Sequence, residues 1–410
     1  MLPSKSVRPR PSTGSGWILV LPLLVFIAVQ FIWPVSQSVV AQAMTTRVSV
    51  SSAGAEGNDV SGSGYSRVYF QTIINLPGVA VSGDGRWVAF ASMASNLVAA
   101  FDGNGAADIF LHDRQTGSTS IVSVDVNGAP GDGASQTPVV SSNGRWVAFS
   151  SYSSNLVAGG AVHNGVYLRD VLTGTTSRVS VSSSGQVANL WSSNPSINGD
   201  GNHIAFLSGA SNLVPNDTNG FQDIFVRDRL SGTTSRVNVG AGGVQANSTS
   251  SFPVISADGR WVVFSSFASN LVANDTNGLQ DVFVHDRQTG ITSRASVGTG
   301  GSQLSVSSSI DRAGLSADGR WVSFTTSETN VGNRLFLHDR LTMTTTHVSA
   351  GAPGGRGNWS VLSADGRYVA FAFTGVFVYD RLTGTTTQVN VDANGAPGAV
   401  GLSGSPALSS

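Results

Sequence analysis

A phrase of nine residues constrains this chain more than any other feature. It runs Ser, any residue, Asp or Asn, Gly, Arg, aromatic, Val, Ala, Phe, and with small departures it returns six times. The first copy contains Asp84-Gly85-Arg86-Trp87-Val88-Ala89-Phe90. Later copies are centred on Asn143-Gly144-Arg145-Trp146, Asp200-Gly201-Asn202-His203, Asp258-Gly259-Arg260-Trp261, Asp318-Gly319-Arg320-Trp321 and Asp365-Gly366-Arg367-Tyr368. Self-similarity at a period of roughly 47 to 60 residues marks a repeat architecture, in which one supersecondary unit buries its apolar faces against copies of itself.

Each unit parses into four strands. An apolar segment such as Pro253-Val254-Ile255-Ser256 leads into Asp-Gly, a hairpin turn because both residues tolerate positive φ. The second strand follows at once as Arg260-Trp261-Val262-Val263-Phe264. The third, Asp281-Val282-Phe283-Val284-His285-Asp286, ends in a second turn signal, Arg287-Gln288-Thr289-Gly290, and the fourth is Thr292-Ser293-Arg294-Ala295-Ser296-Val297. The second strand is apolar almost without alternation, so it needs cover on both faces. Four-stranded blades packed radially supply that cover, and the 49 glycines and 14 prolines suit so many short hairpins. The expected fold is all-β, a β-propeller of four-stranded antiparallel blades with six complete repeats. A parallel β-helix is the alternative, and its rungs are shorter than these units.

The phrase Ser-Ala-Asp-Gly-Arg-Trp-Val-Ala-Phe, followed by Val-Phe-Val-x-Asp-Arg-x-Thr-Gly, resembles the propeller repeat of TolB-type periplasmic proteins. Similar repeats form the propellers attached to prolyl oligopeptidase-type peptidases. The resemblance covers about residues 77–393 and implies the fold rather than an activity. The α/β domain that precedes the TolB propeller has no counterpart here, and no α/β-hydrolase domain follows the repeats, so neither a Tol-Pal role nor peptidase activity carries over.

Partial strands stand at both ends of the repeats. Thr45-Thr46-Arg47-Val48-Ser49-Val50 matches the fourth strand of a unit, as in Thr176-Ser177-Arg178-Val179-Ser180-Val181. Pro406-Ala407-Leu408-Ser409-Ser410 matches the first strand. Propellers commonly close by building one blade from both termini. The expectation is a truncated seven-blade ring, or part of a longer parent, whose two end strands lie near each other at a gap.

Residues 1–43 differ from the rest. Lys5, Arg8 and Arg10 precede an apolar stretch over 17–33 that runs into Ala41-Gln42-Ala43, a small-residue cleavage site. This reads as a secretory signal peptide, with an uncleaved N-terminal anchor as the competing reading. Residues 44–76 then form an N-terminal strand and linker, and 77–410 the propeller repeats. The chain is accordingly expected to be exported, periplasmic or secreted. A net charge of -1 without charge blocks removes the electrostatic footprint of a nucleic-acid binder, and the lack of cysteine removes disulfides and thiolate chemistry.

Two sets of polar residues recur. Arg follows Asp-Gly in five units, and an Asp closes the third strand in all six, giving the expected cross-strand pairs Arg86 with Asp113, Arg145 with Asp170, Arg260 with Asp286, Arg320 with Asp339 and Arg367 with Asp380. Asn202 breaks the pattern, so Asp228 is expected to take a turn amide. His112, His285 and His338 alternate with Arg169, Arg227 and Tyr379 and read as exposed strand positions. His163, His203 and His347 fall into no ligand spacing.

The loop between strands two and three carries Ser-Asn-Leu-Val in four units, at 95–98, 154–157, 211–214 and 269–272. In three of them Asp-x-Asn-Gly-x-x-Asp follows, giving the triplets Asp102, Asn104, Asp108; Asp217, Asn219, Asp223; and Asp275, Asn277, Asp281. Alternating oxygen side chains around a Gly turn resemble the later part of a Ca²⁺ loop. Ala100, Pro215 and Ala273 stand where a first ligand would be, and the alternative is an Asx-turn whose last Asp fixes the start of strand three. Neither Gly-x-Ser-x-Gly nor His-Glu-x-x-His occurs. The expected function is an extracytoplasmic platform, not an enzyme, that binds a protein or glycan through the long-loop face. The alternatives are a glycosidase-like secreted hydrolase using unrecognised carboxylates and a structural module of a larger envelope protein.

Overall fold

The Asp-Gly turns are set by their own side chains. Ser82 Oγ accepts the Trp87 amide at 2.9 Å, Asp84 Oδ1 accepts the Arg86 amide at 3.0 Å, and Gly85 takes φ +71°. The same Ser and Asp or Asn bonds recur at Ser141/Asn143, Ser256/Asp258, Ser316/Asp318 and Ser363/Asp365. In the third unit Asn198 replaces the serine and accepts the His203 amide.

These turns nucleate six four-stranded antiparallel sheets in a computed structural model that describes residues 47–59, 61, 78–99, 104–159, 164–309, 314–328, 332–391, 396 and 406–408. The expected leader or anchor at 1–43 lies outside the described residues, as do Thr45, Thr46, Ala100, Asp102, His163, Ser409 and Ser410. Blade one holds β1 (Val79–Val81), β2 (Trp87–Ser92), β3 (Asp108–Asp113) and β4 (Ser118–Ile121). Blade two holds β5 (Ser135–Val140), β6 (Trp146–Ser151), β7 (Gly165–Asp170) and β8 (Thr175–Arg178). Blade three holds β9 (Ser192–Ile197), β10 (His203–Ser208), β11 (Asp223–Asp228) and β12 (Thr233–Arg236). Blade four holds β13 (Ser250–Ile255), β14 (Trp261–Ser266), β15 (Asp281–Asp286) and β16 (Ile291–Arg294). Blade five holds β17 (Ser307–Ser309), β18 (Trp321–Glu328), β19 (Gly332–Asp339) and β20 (Thr344–His347). Blade six holds β21 (Asn358–Leu362), β22 (Tyr368–Ala372), β23 (Val376–Asp380) and β24 (Thr385–Gln388). The expected propeller of four-stranded antiparallel blades is therefore observed.

The core lies between blades, which is why the second strand lacks polar alternation. Ala205, Leu207, Ile224 and Val226 of blade three pack with Val262, Phe264 and Phe283 of blade four in one buried cluster. Each blade stacks an aromatic of its second strand on one of its third, as in Phe264 and Phe283 at 5.9 Å. Around the axis, backbone bonds link successive blades just before their Asp-Gly turns: Gly83 donates to Ser142, Ser142 to Gly199, Gly199 to Ala257, and Ala317 to Ala364, all at 2.8–3.0 Å.

The end segments take places equivalent to those of interior strands. Thr119 Oγ1 of blade one donates to the Val50 carbonyl, as Thr234 donates to Val181, Thr292 to Val239 and Thr345 to Val297. Val48 is buried among Val79, Val88, Phe90, Ala94, Leu97 and Phe110. Residues 47–50 thus sit where the fourth strand of a blade preceding blade one would end. Leu408 lines an axial cavity together with Val81, Val140, Leu315 and Leu362, the residues at the same step of their first strands. Ser61 already pairs with Ser92, as Ser135 does with Ser151, so blade one begins within the segment read as a linker.

Candidate functional site

All five Arg–Asp pairs expected from the sequence form, because pairing Trp261 with Asp286 and its equivalents brings the preceding Arg beside the carboxylate. Arg260 Nε and Nη2 donate to the two Asp286 oxygens at 2.9 and 2.7 Å, and the other four pairs are bidentate in the same way. The guanidinium of Arg145 holds the Asp170 carboxyl down at about 2, and Asp113, Asp286, Asp339 and Asp380 are lowered for the same reason. Asp228 accepts the amides of Leu230 and Ser231. The pairs also join blades: Arg145 lies over the Trp146 ring at 4.8 Å, and Arg229 of the next blade approaches the same ring at 4.1 Å. Trp261 with Arg340 and Trp321 with Arg381 repeat that second contact. These residues hold the ring together.

The histidines before the closing Asp are buried, correcting the expectation of exposed positions: His112 and His285 are 5% exposed and His338 1%. His285 Nδ1 meets Thr292 Oγ1 at 3.0 Å, and that hydroxyl gives its single proton to the Val239 carbonyl at 2.6 Å. The hydroxyl must therefore accept from the imidazole, so Nδ1 carries the hydrogen. His112 with Thr119 and His338 with Thr345 make the same relay. Arg169 and Arg227 donate to Thr176 and Thr234 from this position, which explains why His and Arg interchange there. Burial pushes the His285 imidazole down to about 4, against the pull of Asp286 and with the help of Arg287.

On the long-loop face, Ser-Asn-Leu-Val is a clasp. Asn270 Oδ1 accepts the Asn247 amide and its Nδ2 donates to the Gln245 carbonyl, while Asn247 binds Ser269 in return. Asn212 with Asn189, Asn155 with Asp132 and Asn96 with Asn58 pin the other incoming linkers, and Leu97, Leu156, Leu213 and Leu271 plug the core beneath. The candidate Ca²⁺ residues follow the clasp. Asn104, Asn219 and Asn277 each accept the amide two residues on, which is Asx-turn geometry. Asp108, Asp223 and Asp281 open β3, β11 and β15 and are fully buried, each bound by a Ser or Asn after strand four: Ser123, Asn238 and Ser296.

Sequence reasoning missed the cation already present beside two of these loops. Arg236 Nη1 bonds Asp217 at 2.9 Å and Asp223 at 3.0 Å, and Arg294 lies 3.6 Å from both Asp275 and Asp281. The signal was the Thr-Ser-Arg ending of strand four, which places the arginine beside the start of strand three. Two buried carboxylates share one guanidinium, and burial followed by the charge of Asp223 raises the Asp217 carboxyl. Ile121 takes the corresponding place in blade one. Among the described residues no three His, Asp or Glu side chains gather as a metal shell would need.

What the long-loop face displays is aromatic. Tyr152 and Phe267 directly follow β6 and β14 and are 62% and 49% exposed, although Ser151 and Ser153, or Ser266 and Ala268, on either side are buried. Gly209 occupies the same step in blade three, with the Trp191 indole 3.6 Å from where its Cβ would be. Phe221 and Leu190 add exposed apolar surface on this face. The axial cavity, about 150 Å³, opens at the Asp-Gly end instead, lined by Val81, Val140, Leu315, Leu362 and Leu408 with small residues between them.

No protein-family model matches the chain, and no curated protein sequence does. Solved propellers do. A putative TolB from Agrobacterium tumefaciens is 18% identical, with a TM-score of 0.41 over 75% of this chain and 94% of its own. TolB from Acinetobacter baumannii is 16% identical, at 0.37 over 74% and 69%. An oligogalacturonate lyase from Vibrio parahaemolyticus is 11% identical, at 0.48 over 82% and 86%. TolB propellers are thus among the solved structures this chain is similar to, as the repeat phrase implied. The likeness is one of fold and extends to no activity. No helix among the described residues is long and apolar enough to cross a membrane.

Proposed function

We propose that this propeller is an exported binding platform that engages a protein or glycan through its long-loop face, without catalysis. One observation carries the reading: bulky aromatic side chains stand exposed at a step where the fold does not need them. Tyr152 and Phe267 are held by the rigid ends of β6 and β14, and Gly209 at the equivalent step of blade three leaves the strand pairing of β10 intact. Exposed, pre-positioned aromatic rings supply contact area at low entropic cost, which is why they dominate binding surfaces. The recurring carboxylates, by contrast, are engaged in ion pairs and turns, which leaves them ill placed for acid–base work on a sugar.

The test is binding of the mature chain to a glycan array and to envelope extract, with Tyr152→Ala and Phe267→Ala as variants. Each substitution is expected to weaken capture at least tenfold while lowering the melting temperature by no more than about 5 °C, because about half or more of each side chain is exposed. Undiminished capture by the double variant would refute this face, and turnover of a glycan or peptide substrate by the wild-type chain would refute the absence of catalysis.

A further inference from the structure

The exposed aromatic at the end of the second strand belongs to a cross-strand pair rather than to one position. Tyr152 donates its amide to the Ala134 carbonyl at 2.9 Å, and Gly209 to Trp191 and Phe267 to Thr249, both at 3.2 Å. These are the same backbone bond in blades two, three and four, joining the residue after the second strand to the residue before the first. In blades two and four the ring stands after the second strand, opposite Ala134 or Thr249. In blade three it stands on the other member: the Trp191 indole lies 3.6 Å from where a Cβ of Gly209 would be. Glycine opens that space and tryptophan fills it, half-buried against the core cluster shared by blades three and four. Three consecutive blades therefore present one ring each at the same step. The row stops at blade five, where the pair is Ser307 with Ser327.

The charged groups at this end of blades two to four are already engaged. Arg236 and Arg294 hold the carboxylates of their loops, Asp132 takes the Ser154 amide and hydroxyl, and Arg178 lies over the Tyr167 ring and donates to its hydroxyl. That arrangement does not favour an ionic ligand. A single-stranded nucleic acid would also stack on successive rings, but it needs a cationic groove for its phosphates. We infer that the ligand of the long-loop face is a linear, uncharged glycan that runs across blades two, three and four, with a sugar face on each of Tyr152, Trp191 and Phe267; this rests on the reading of that face as the binding surface. A sugar ring combines an apolar C–H face with hydroxyls, which suits aromatic faces that carry an indole N–H at Trp191 and a hydroxyl at Tyr152. Packed sheets lie about 10 Å apart, so one sugar cannot touch the rings of two blades and a chain can. A ligand of repeated units also meets a row of repeated sites in a single register, whereas the surface of a folded protein has no such period.

The probes are linear, neutral oligosaccharides of glucose, mannose and galactose, from the monosaccharide to chains long enough to span three blades, with a polyuronate of equal length as the charged control. Titrated against the full chain by calorimetry, at least one neutral series is expected to bind saturably. Its affinity should rise about tenfold or more from the disaccharide to the longest chain, and should not fall as salt is raised. Trp191→Ala should weaken the longest chain about tenfold or more, and Trp191→Thr combined with Gly209→Phe, which copies the pair of blade four, should restore it. Where Trp191→Ala does not melt cooperatively, Tyr152→Ala, at an exposed ring, gives the same reading. Binding that is independent of length, a salt-sensitive preference for the polyuronate, or full affinity in both single variants would overturn the inference. So would capture of an envelope protein through Tyr152 and Phe267 with no glycan bound up to roughly 1 mM, an outcome that leaves the binding face standing and removes the glycan. If neither glycan nor protein is captured, both readings fall.

Discussion

Lowering the pH should loosen the propeller before the arginine-paired carboxylates titrate, and His285 shows why. Its imidazole is 5% exposed, linked through Thr292 to the Val239 carbonyl, and has a pKa of about 4 against 6.5 for an unperturbed group. Because the folded value is the lower one, the unfolded chain binds more protons between these limits. Stability is therefore complete above pH 6.5 and is lost as the pH falls towards 4. From the two values, the loss attributable to His285 alone is about 2 kcal/mol at pH 5 and about 3 kcal/mol at pH 4. His112 and His338, lowered by the same burial, add to it in the same direction. The assay is urea unfolding at pH 7.5 and 5.0 for the wild-type chain and for His285→Arg. That variant keeps a donor to Thr292, as Arg227 does for Thr234, but does not titrate. The difference in stability between the two pH values should shrink by about 2 kcal/mol in the variant. An unchanged difference, or an NMR titration placing His285 near 6.5, would refute the argument.

Other consequences are equally direct. Arg260→Ala and Asp286→Ala should each destabilise the fold, and the double mutant should lose less than their sum, a coupling kept small by the 39% exposure of the arginine side chain; strict additivity would deny the pair any energetic role. Arg236→Ala strands two buried carboxylates and should cost about 3–5 kcal/mol in denaturant unfolding, with a loss under about 1 kcal/mol meaning that water already screens them. Millimolar Ca²⁺ should leave the wild-type melting temperature unchanged, since Arg236 and Arg294 hold the carboxylates of two loops; a rise that Asp217→Ala and Asp275→Ala abolish would show that metal displaces arginine. Gly290→Ala, at φ +73° in open space, should cost about 1–2 kcal/mol, whereas Gly201→Ala should cost about 1–3 kcal/mol more because its Cβ would lie 2.3 Å from Trp146; equal losses in thermal unfolding would deny the close packing.

The sequence by itself determined whatever is local to one blade. Asp-Gly flanked by apolar strands dictates a hairpin, period-two pairing then dictates register, and register places Arg260 beside Asp286. Both members lie within a single antiparallel pair, so the chain between them leaves no other solution. The Asn of Asp-x-Asn-Gly is legible in the same way, because an Asx-turn spans only two residues. What only the tertiary structure decided is what one blade does to the next. His285 reads as an exposed strand residue until the linker from blade three brings the Val239 carbonyl against Thr292, 53 residues earlier in the chain. Asn270 reads as a loop residue until it fastens the linker at Gln245. Contacts of that kind depend on the packing of neighbouring units, which burial of the shared apolar faces sets and no residue spacing encodes.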